Sequence, residues 1–328
     1  MVSLFKDRSP ATVVWLFILS IVVHSHFIVE PPHILVLEDD GLISVVLKKY
    51  FTGLDPLFLT LIYHALIILQ ALRLNYLFTD NRMFSRVNYL TAMVFIILTG
   101  IFYAWSNLTS ALIANIMLIW FYANTIRLYN SPNPKTLIFN IGLIVGMSII
   151  LYHPSAILIL VAIFALLVVR PFFVAEWLVL LMGVFAPFYF LFSYLYLTDN
   201  LTRLRGYIPR WQFNLPDVPP TVLFFITLGV VAVVLFIGIV YWQRENRRLI
   251  IQVRKNWVVL HVMLLLMLPL PFISYKAGMD ILLTFIVPLS PMMAKAFLAP
   301  KRDTLPNILF WCLLALVLVN NWGALFKY

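Results

Sequence analysis

Glu38, Asp39 and Asp40 are consecutive in a chain of 328 residues that holds only 13 acids and is 63% hydrophobic. Three adjacent carboxylates can hold a divalent cation through oxygen ligands. One of them can instead take the proton of an acceptor hydroxyl while its neighbours fix geometry and local field. A plainer reading makes Asp39 or Asp40 the cap of a following helix, where acids are favoured. Phosphate chemistry would draw on Arg203, Arg205, Arg210, Lys48, Lys49 and Lys276. Guanidinium forks pair with phosphate oxygens, and an ammonium acts as a point charge. Binding to lipid headgroups is the structural alternative for each of them. Lys276 and Asp280, four apart, could also simply pair across one helical turn.

Other chemistry-bearing residues read as structural. His24 and His26 lie two apart at the end of an apolar run, His64 and His261 fall inside such runs, and His33 and His153 read as outward-facing. None has the spacing of a zinc site. Asn115, Asn124 and Asn140 suit interhelical hydrogen bonds, and Lys295 is placed to snorkel. Arg170 and Glu176 are six apart around Pro171 and would neutralise one another, locking a hairpin. Cys312 is the single cysteine, so no internal disulfide is possible. No P-loop, dinucleotide fingerprint, GxSxG or HExxH occurs, so nothing supports nucleotide-driven pumping. Nor do the apolar runs carry the acid relay of a proton-coupled transporter.

These residues need an unusual scaffold. With 27 Phe, 15 Tyr and 9 Trp and a mean hydropathy of +0.99, the chain is no ordinary soluble domain. Its apolar blocks have the length that crosses a hydrocarbon core, and they are apolar on every face. Barrel strands would alternate. The expected fold is therefore an all-α polytopic transmembrane bundle forming one integral membrane domain over residues 1–328. Eleven spans are predicted, at 11–29, 56–74, 88–106, 108–126, 136–152, 154–169, 174–197, 221–242, 257–275, 280–298 and 307–325. The weakest joints are tight hairpins at Ser106–Leu108 and His153–Pro154. Lys6 and Arg8 precede the first run like a signal peptide, but no small-residue cleavage site follows, so it reads as a retained helix.

Orientation follows from the basic residues. With the N-terminus inside, 16 Lys and Arg fall on inner segments and 7 on outer ones, which predicts a cytoplasmic N-terminus and a periplasmic C-terminus. The +10 formal charge is thus dispersed among loops and is no nucleic-acid signature. Two outer segments are longer than connectors. In 30–55, Ile43, Val46, Leu47 and Tyr50 fall at helical spacing, which predicts a short interfacial helix. In 198–220, the fourth outer loop, Arg203, Arg205, Arg210 and Trp211 suggest a second. The inner segment 243–257, with five basic residues, is expected to lie on the membrane surface.

An acidic pair in the first outer loop, soon after the first span, resembles the C-type (GT-C) glycosyltransferases. That resemblance covers the first 55 residues and the plan of many spans with two helical outer loops. It implies a polyprenyl-phosphate-linked sugar donor and a base at Asp40 or Asp39, with Glu38 assisting. Lys276, opening a late span that contains Pro288 and Pro291, is similar to the basic residue such enzymes place near the donor phosphate. The strings Leu151-Tyr152-His153-Pro154-Ser155 and Arg170-Pro171-Phe172-Phe173-Val174-Ala175-Glu176-Trp177 resemble an uncharacterised family of polytopic inner-membrane proteins of Gram-negative bacteria, over most of the chain.

The first expectation is therefore an inner-membrane glycosyltransferase acting on the periplasmic face. Glu38, Asp39 and Asp40 would serve catalysis, and any divalent cation would sit on them. Arg203, Arg205, Arg210, Lys276 and Lys48 would hold the lipid phosphate. The alternatives are a non-enzymatic scaffold or accessory subunit of an envelope assembly or export system, and a lipid or small-solute transporter. All three readings have membrane lipids as partners and no nucleic acid.

Overall fold

The computed structural model describes residues 1–7, 9–36, 40–129, 131–213, 215, 221–273, 278–300 and 302–325. In chain order its helices are α1 (Ser3–Lys6), α2 (Pro10–Val23), α3 (Leu42–Tyr50), α4 (Pro56–Asp80), α5 (Leu90–Thr99), α6 (Ser110–Arg127), α7 (Pro134–Leu151), α8 (Leu158–Val169), α9 (Val174–Leu197), α10 (Val222–Asn246), α11 (Ile251–Met267), α12 (Leu270–Ile273), α13 (Ile286–Leu298) and α14 (Thr304–Leu325). Five 3₁₀ segments intervene, at Ser25–Ile28, Tyr103–Trp105, His153–Ile157, Leu201–Tyr207 and Met279–Phe285. Two short strands, β1 (Ile34–Leu35) and β2 (Leu108–Thr109), pair in parallel with Ile34 opposite Leu108.

Helix starts follow the local chemistry. Ser9 accepts from the Ala11 amide ahead of Pro10, Asp55 accepts from Leu57 ahead of Pro56, and Thr109 caps α6 through the Leu112 amide. Proline at the first turn loses nothing, because its missing donor would have had no partner there. Among the described residues, seven segments are long and apolar enough to cross a membrane: Pro56–Asp80, Pro134–Leu151, Val174–Leu197, Val222–Asn246, Ile251–Ile273, Met279–Leu298 and Thr304–Ala324. Three shorter apolar helices occupy Pro10–Val23, Leu90–Thr99 and His153–Val169. The architecture is thus an all-helical membrane protein.

Burial explains where the sequence pattern misleads. Every residue of α5 is buried, and α13 beside it is nearly so. A helix walled by protein need not match the hydrocarbon thickness, and irregular backbone is tolerated there. So the predicted span 88–106 is α-helical over only ten residues, and the predicted span 280–298 opens with a 3₁₀ segment. Segment 243–257 is divided between two helices: α10 runs on to Asn246 and α11 begins at Ile251, so Arg244, Arg254 and Lys255 extend the helices and Arg247 and Arg248 lie in the turn between them. Lys295 does not snorkel either: it is fully buried, its Nζ bonding Glu245 at 2.6 Å and lying over the Phe84 and Trp257 rings.

α7 and α9 approach through glycine. Gly142 faces the Leu180 carbonyl, Gly146 the Val184 carbonyl and Gly183 the Phe139 carbonyl, each so closely that a Cβ would collide. Small residues bring helix backbones together where lipid supplies no hydrophobic drive. The expected Arg170–Glu176 pair forms at 2.8 Å and fastens the α8–α9 turn. Asn115 bonds across to the Leu283 carbonyl as expected, whereas Asn124 bonds Trp120 of its own helix and Asn140 is exposed.

Contacts fix two ends of the bundle. Lys6 meets Asp303 and the Val2 amide meets Asn307 at one end, where Lys255 also reaches the Val169 carbonyl. At the other end the His153 amide bonds the Asp40 carbonyl, Leu108 bonds the His33 carbonyl, and the Trp105 indole bonds the Met279 carbonyl.

Candidate functional site

Asp40 is positioned by backbone. Its carbonyl accepts from the His153 amide at 3.0 Å, which ties it to the chain leaving α7. Gly41 follows with φ +114°, and a Cβ there would meet the Leu151 carbonyl oxygen at 2.6 Å. Both the left-handed conformation and the close approach demand glycine. Gly41 is also the N-cap of α3, and no side chain caps that helix. Asp40 is therefore not the helix cap, and at 9% exposure it is not a hydrated loop acid. It stands buried at the rim of the bundle.

α3 is the short helix expected within 30–55. Ile43, Ser44 and Leu47 turn inward while Val46, Lys48, Lys49 and Tyr50 are exposed. The Ser44 hydroxyl donates to the Gly41 carbonyl at 2.6 Å, closing the first turn. Lys48 lies two turns from Gly41, and the structure does not bring it to the site.

Across from this turn stands the described part of segment 198–220. Its helical element is a 3₁₀ segment, Leu201–Tyr207, rather than an α-helix. Arg203, Gly206 and Tyr207 on one side and Gly41, Ser44 and Val45 on the other enclose a notch of about 300 Å³. The 3₁₀ period puts Arg203 and Gly206 on one face, and the same segment turns Leu204 and Ile208 the other way. Those two residues, with Pro209 and Trp211, roof an apolar groove of about 1050 Å³ walled by α7, α8 and α9. Trp177, Leu181, Phe185 and Phe188 form its α9 wall. The Gln212 amide bonds the Ile273 carbonyl at 3.1 Å and holds the loop down. Arg205 and Arg210 are exposed on the same loop and do not line the notch.

Two residues join the site that sequence reasoning did not assign to it. Tyr152, buried just past the end of α7, lies within electrostatic reach of both the Asp280 and the Asp40 carboxylates. Asp280 is 4% exposed, and its Oδ1 has no hydrogen-bond partner among the described residues. The 3₁₀ segment that carries it is pinned by Trp105 on the Met279 carbonyl and by Asn115 on the Leu283 carbonyl. The available signal was an acid opening an otherwise apolar run. Sequence spacing assigned it to a surface pair with Lys276 instead.

Glu38, Asp39 and Lys276 lie outside the described residues. No group of three His, Cys, Asp or Glu among the described residues could hold a metal. His153, expected to face outward, is buried at 7% exposure. His24 approaches His26 and His64 with ring centroids 6.2 and 5.7 Å apart, packed with Phe27 and Tyr63. His64 bonds Ser20 and His24 bonds the Ser20 carbonyl, so these two rings are satisfied core groups.

No protein-family profile, curated protein or solved structure matches the chain. The function therefore has to be argued from this geometry.

Proposed function

We propose that the protein is a glycosyltransferase that uses a polyprenyl-phosphate-linked sugar and works at the Asp40 end of the bundle. One observation carries the reading: Arg203 and the Gly41 turn that follows buried Asp40 face each other across a notch, and the same 3₁₀ segment roofs a larger apolar groove. That juxtaposition suits an amphiphile with a phosphate at the membrane surface and a hydrocarbon tail between helices. Arg203 would pair with the phosphate oxygens, and α7, α8 and α9 would sheathe the tail.

In the reaction the acceptor hydroxyl oxygen bonds to the anomeric carbon. The bond from that carbon to the phosphate oxygen breaks, and the electron pair leaves on the lipid phosphate. Asp40 takes the hydroxyl proton, with Tyr152 and Asp280 shaping the field around it. The developing phosphate charge falls to Arg203, and Lys276 is the further basic group proposed for it.

The remaining sequence expectations belong to the same proposal. The proposed eleven crossings would leave the N-terminus in the cytoplasm of a bacterial inner membrane and the Asp40 end in the periplasm. The excess of basic residues at the opposite end supports that orientation. Asp40→Asn and Arg203→Glu, each expressed at the normal level in the native host, should both remove one surface glycan from the profile. Unchanged glycans in both variants would discard the reading.

A further inference from the structure

The side of the bundle away from this site carries a charge in an unusual place. Arg73 lies seven residues before the end of α4, about 10 Å along the helix axis from Asp80. It is exposed, and no hydrogen bond or ion pair holds it among the described residues. Helix side chains lean toward the N-terminus, so Arg73 is directed up the helix rather than toward the water at Asp80. It accordingly lines a groove of about 390 Å³ in the seam between α4 and α6, with Leu66, Leu69, Ile116, Ile119 and Trp120.

A second polar group lines the same groove. Gln70 is 3% exposed and donates its Nε2 to the Leu112 carbonyl of α6 at 2.8 Å, while its buried Oε1 has no partner among the described residues. Trp120 and Tyr76, both about half exposed, place this level at the headgroup boundary, where amphipathic rings gather. A guanidinium at that level, with no protein partner among the described residues and an apolar wall beside it, is suited to an anionic headgroup. The volume lies in the range of small-molecule sites, about 300–1,000 Å³, and is far too small for a helix.

We propose that the α4–α6 seam is a specific site for an anionic phospholipid of the leaflet on the Asp80 side. Arg73 takes the phosphate and one acyl chain runs along Leu69, Ile116 and Ile119. Charge complementarity selects the occupant: a lone cation set above an apolar wall fits a phosphate joined to hydrocarbon. This site is independent of the reaction proposed above.

The test uses the full chain, purified and stripped of lipid, with phosphatidylglycerol, phosphatidylcholine and inorganic phosphate as separate probes, read by native mass spectrometry. One phosphatidylglycerol should bind in preference to phosphatidylcholine, and inorganic phosphate should not bind. Arg73→Ala should weaken binding about tenfold, the loss of a charge-assisted hydrogen bond, and Arg73→Lys should restore part of it. Leu69→Trp, at a position 67% exposed and so safe for folding, should weaken binding with Arg73 intact. Two results overturn the proposal: undiminished lipid binding in both Arg73→Ala and Leu69→Trp, or binding of inorganic phosphate alone.

Discussion

Replacing Gly146 by alanine adds one methyl group to a helix, a change that favours helix by about 0.8–1 kcal/mol where space is open. At Gly146 space is not open. The new Cβ would fall on the Val184 carbonyl, with the Pro187 ring at 3.0 Å behind it. Ordinary contact begins near 3.4 Å, so α9 must retreat by about 1 Å in a close-packed seam. Overpacking of this kind costs about 1–3 kcal/mol, and a carbonyl of the facing backbone cannot swing aside as a flexible side chain could. Gly229 supplies the control. It lies within α10, is exposed, and has nothing within 4 Å of a built Cβ. The same substitution there should be neutral or stabilising, by up to about 1 kcal/mol. The two variants should therefore differ in sign. Reversible unfolding in mixed micelles measures both, and a lipid-phosphate binding assay reads the consequence, since Leu180 and Val184 line the groove above. If Gly146→Ala proves at least as stable as Gly229→Ala, close backbone approach is not what joins α7 to α9.

Other perturbations have directions set by burial. Glu245→Gln strands the Lys295 ammonium at 0% exposure and should cost about 3–5 kcal/mol. Lys295→Met leaves Glu245, whose side chain is 32% exposed and can turn to water, so it should cost less; the double variant should recover most of the loss in the same unfolding assay. The hydrogen bond from Lys6, and then its charge, hold the exposed Asp303 carboxyl below its ordinary pKa of 3.8. A depressed acid stabilises the fold above its unfolded value and loses that contribution as pH falls through the folded one. The melting-temperature gap between the native chain and Lys6→Met should thus be full above about pH 4 and close below it; a gap independent of pH would remove the ion pair from the account.

Much of the scaffold was legible because hydrophobic block length is a local property. Each of the eleven apolar stretches contains helix, and the capping residues Ser9, Asp55 and Thr109 mark their starts. Local pairs were legible too: Arg170 and Glu176 meet as their spacing around a proline implies. Where neighbours intrude, reading failed. Lys295 looked like a surface lysine because its position near a span end is visible in sequence, whereas Glu245, 50 residues away, is not. Residues 88–106 looked like a full span because hydropathy cannot distinguish a helix facing lipid from one walled by protein. The α11 start was missed because basic residues were taken as surface signals, although a helix can continue past the bilayer.

The sequence by itself determined that this is a helical membrane protein, with an acidic turn and an arginine-bearing loop set between apolar runs. Composition and period suffice for that, since a lipid solvent imposes one backbone solution on every span. Only the tertiary structure decided that Arg203 and Gly41 line one notch, that Asp280 joins Asp40 around Tyr152, and that Arg73 has no protein partner among the described residues. Those relations span many tens of residues and depend on which helix faces touch. Touching faces are chosen by packing, at glycines such as Gly41 and Gly146, and no local window of the chain contains both partners.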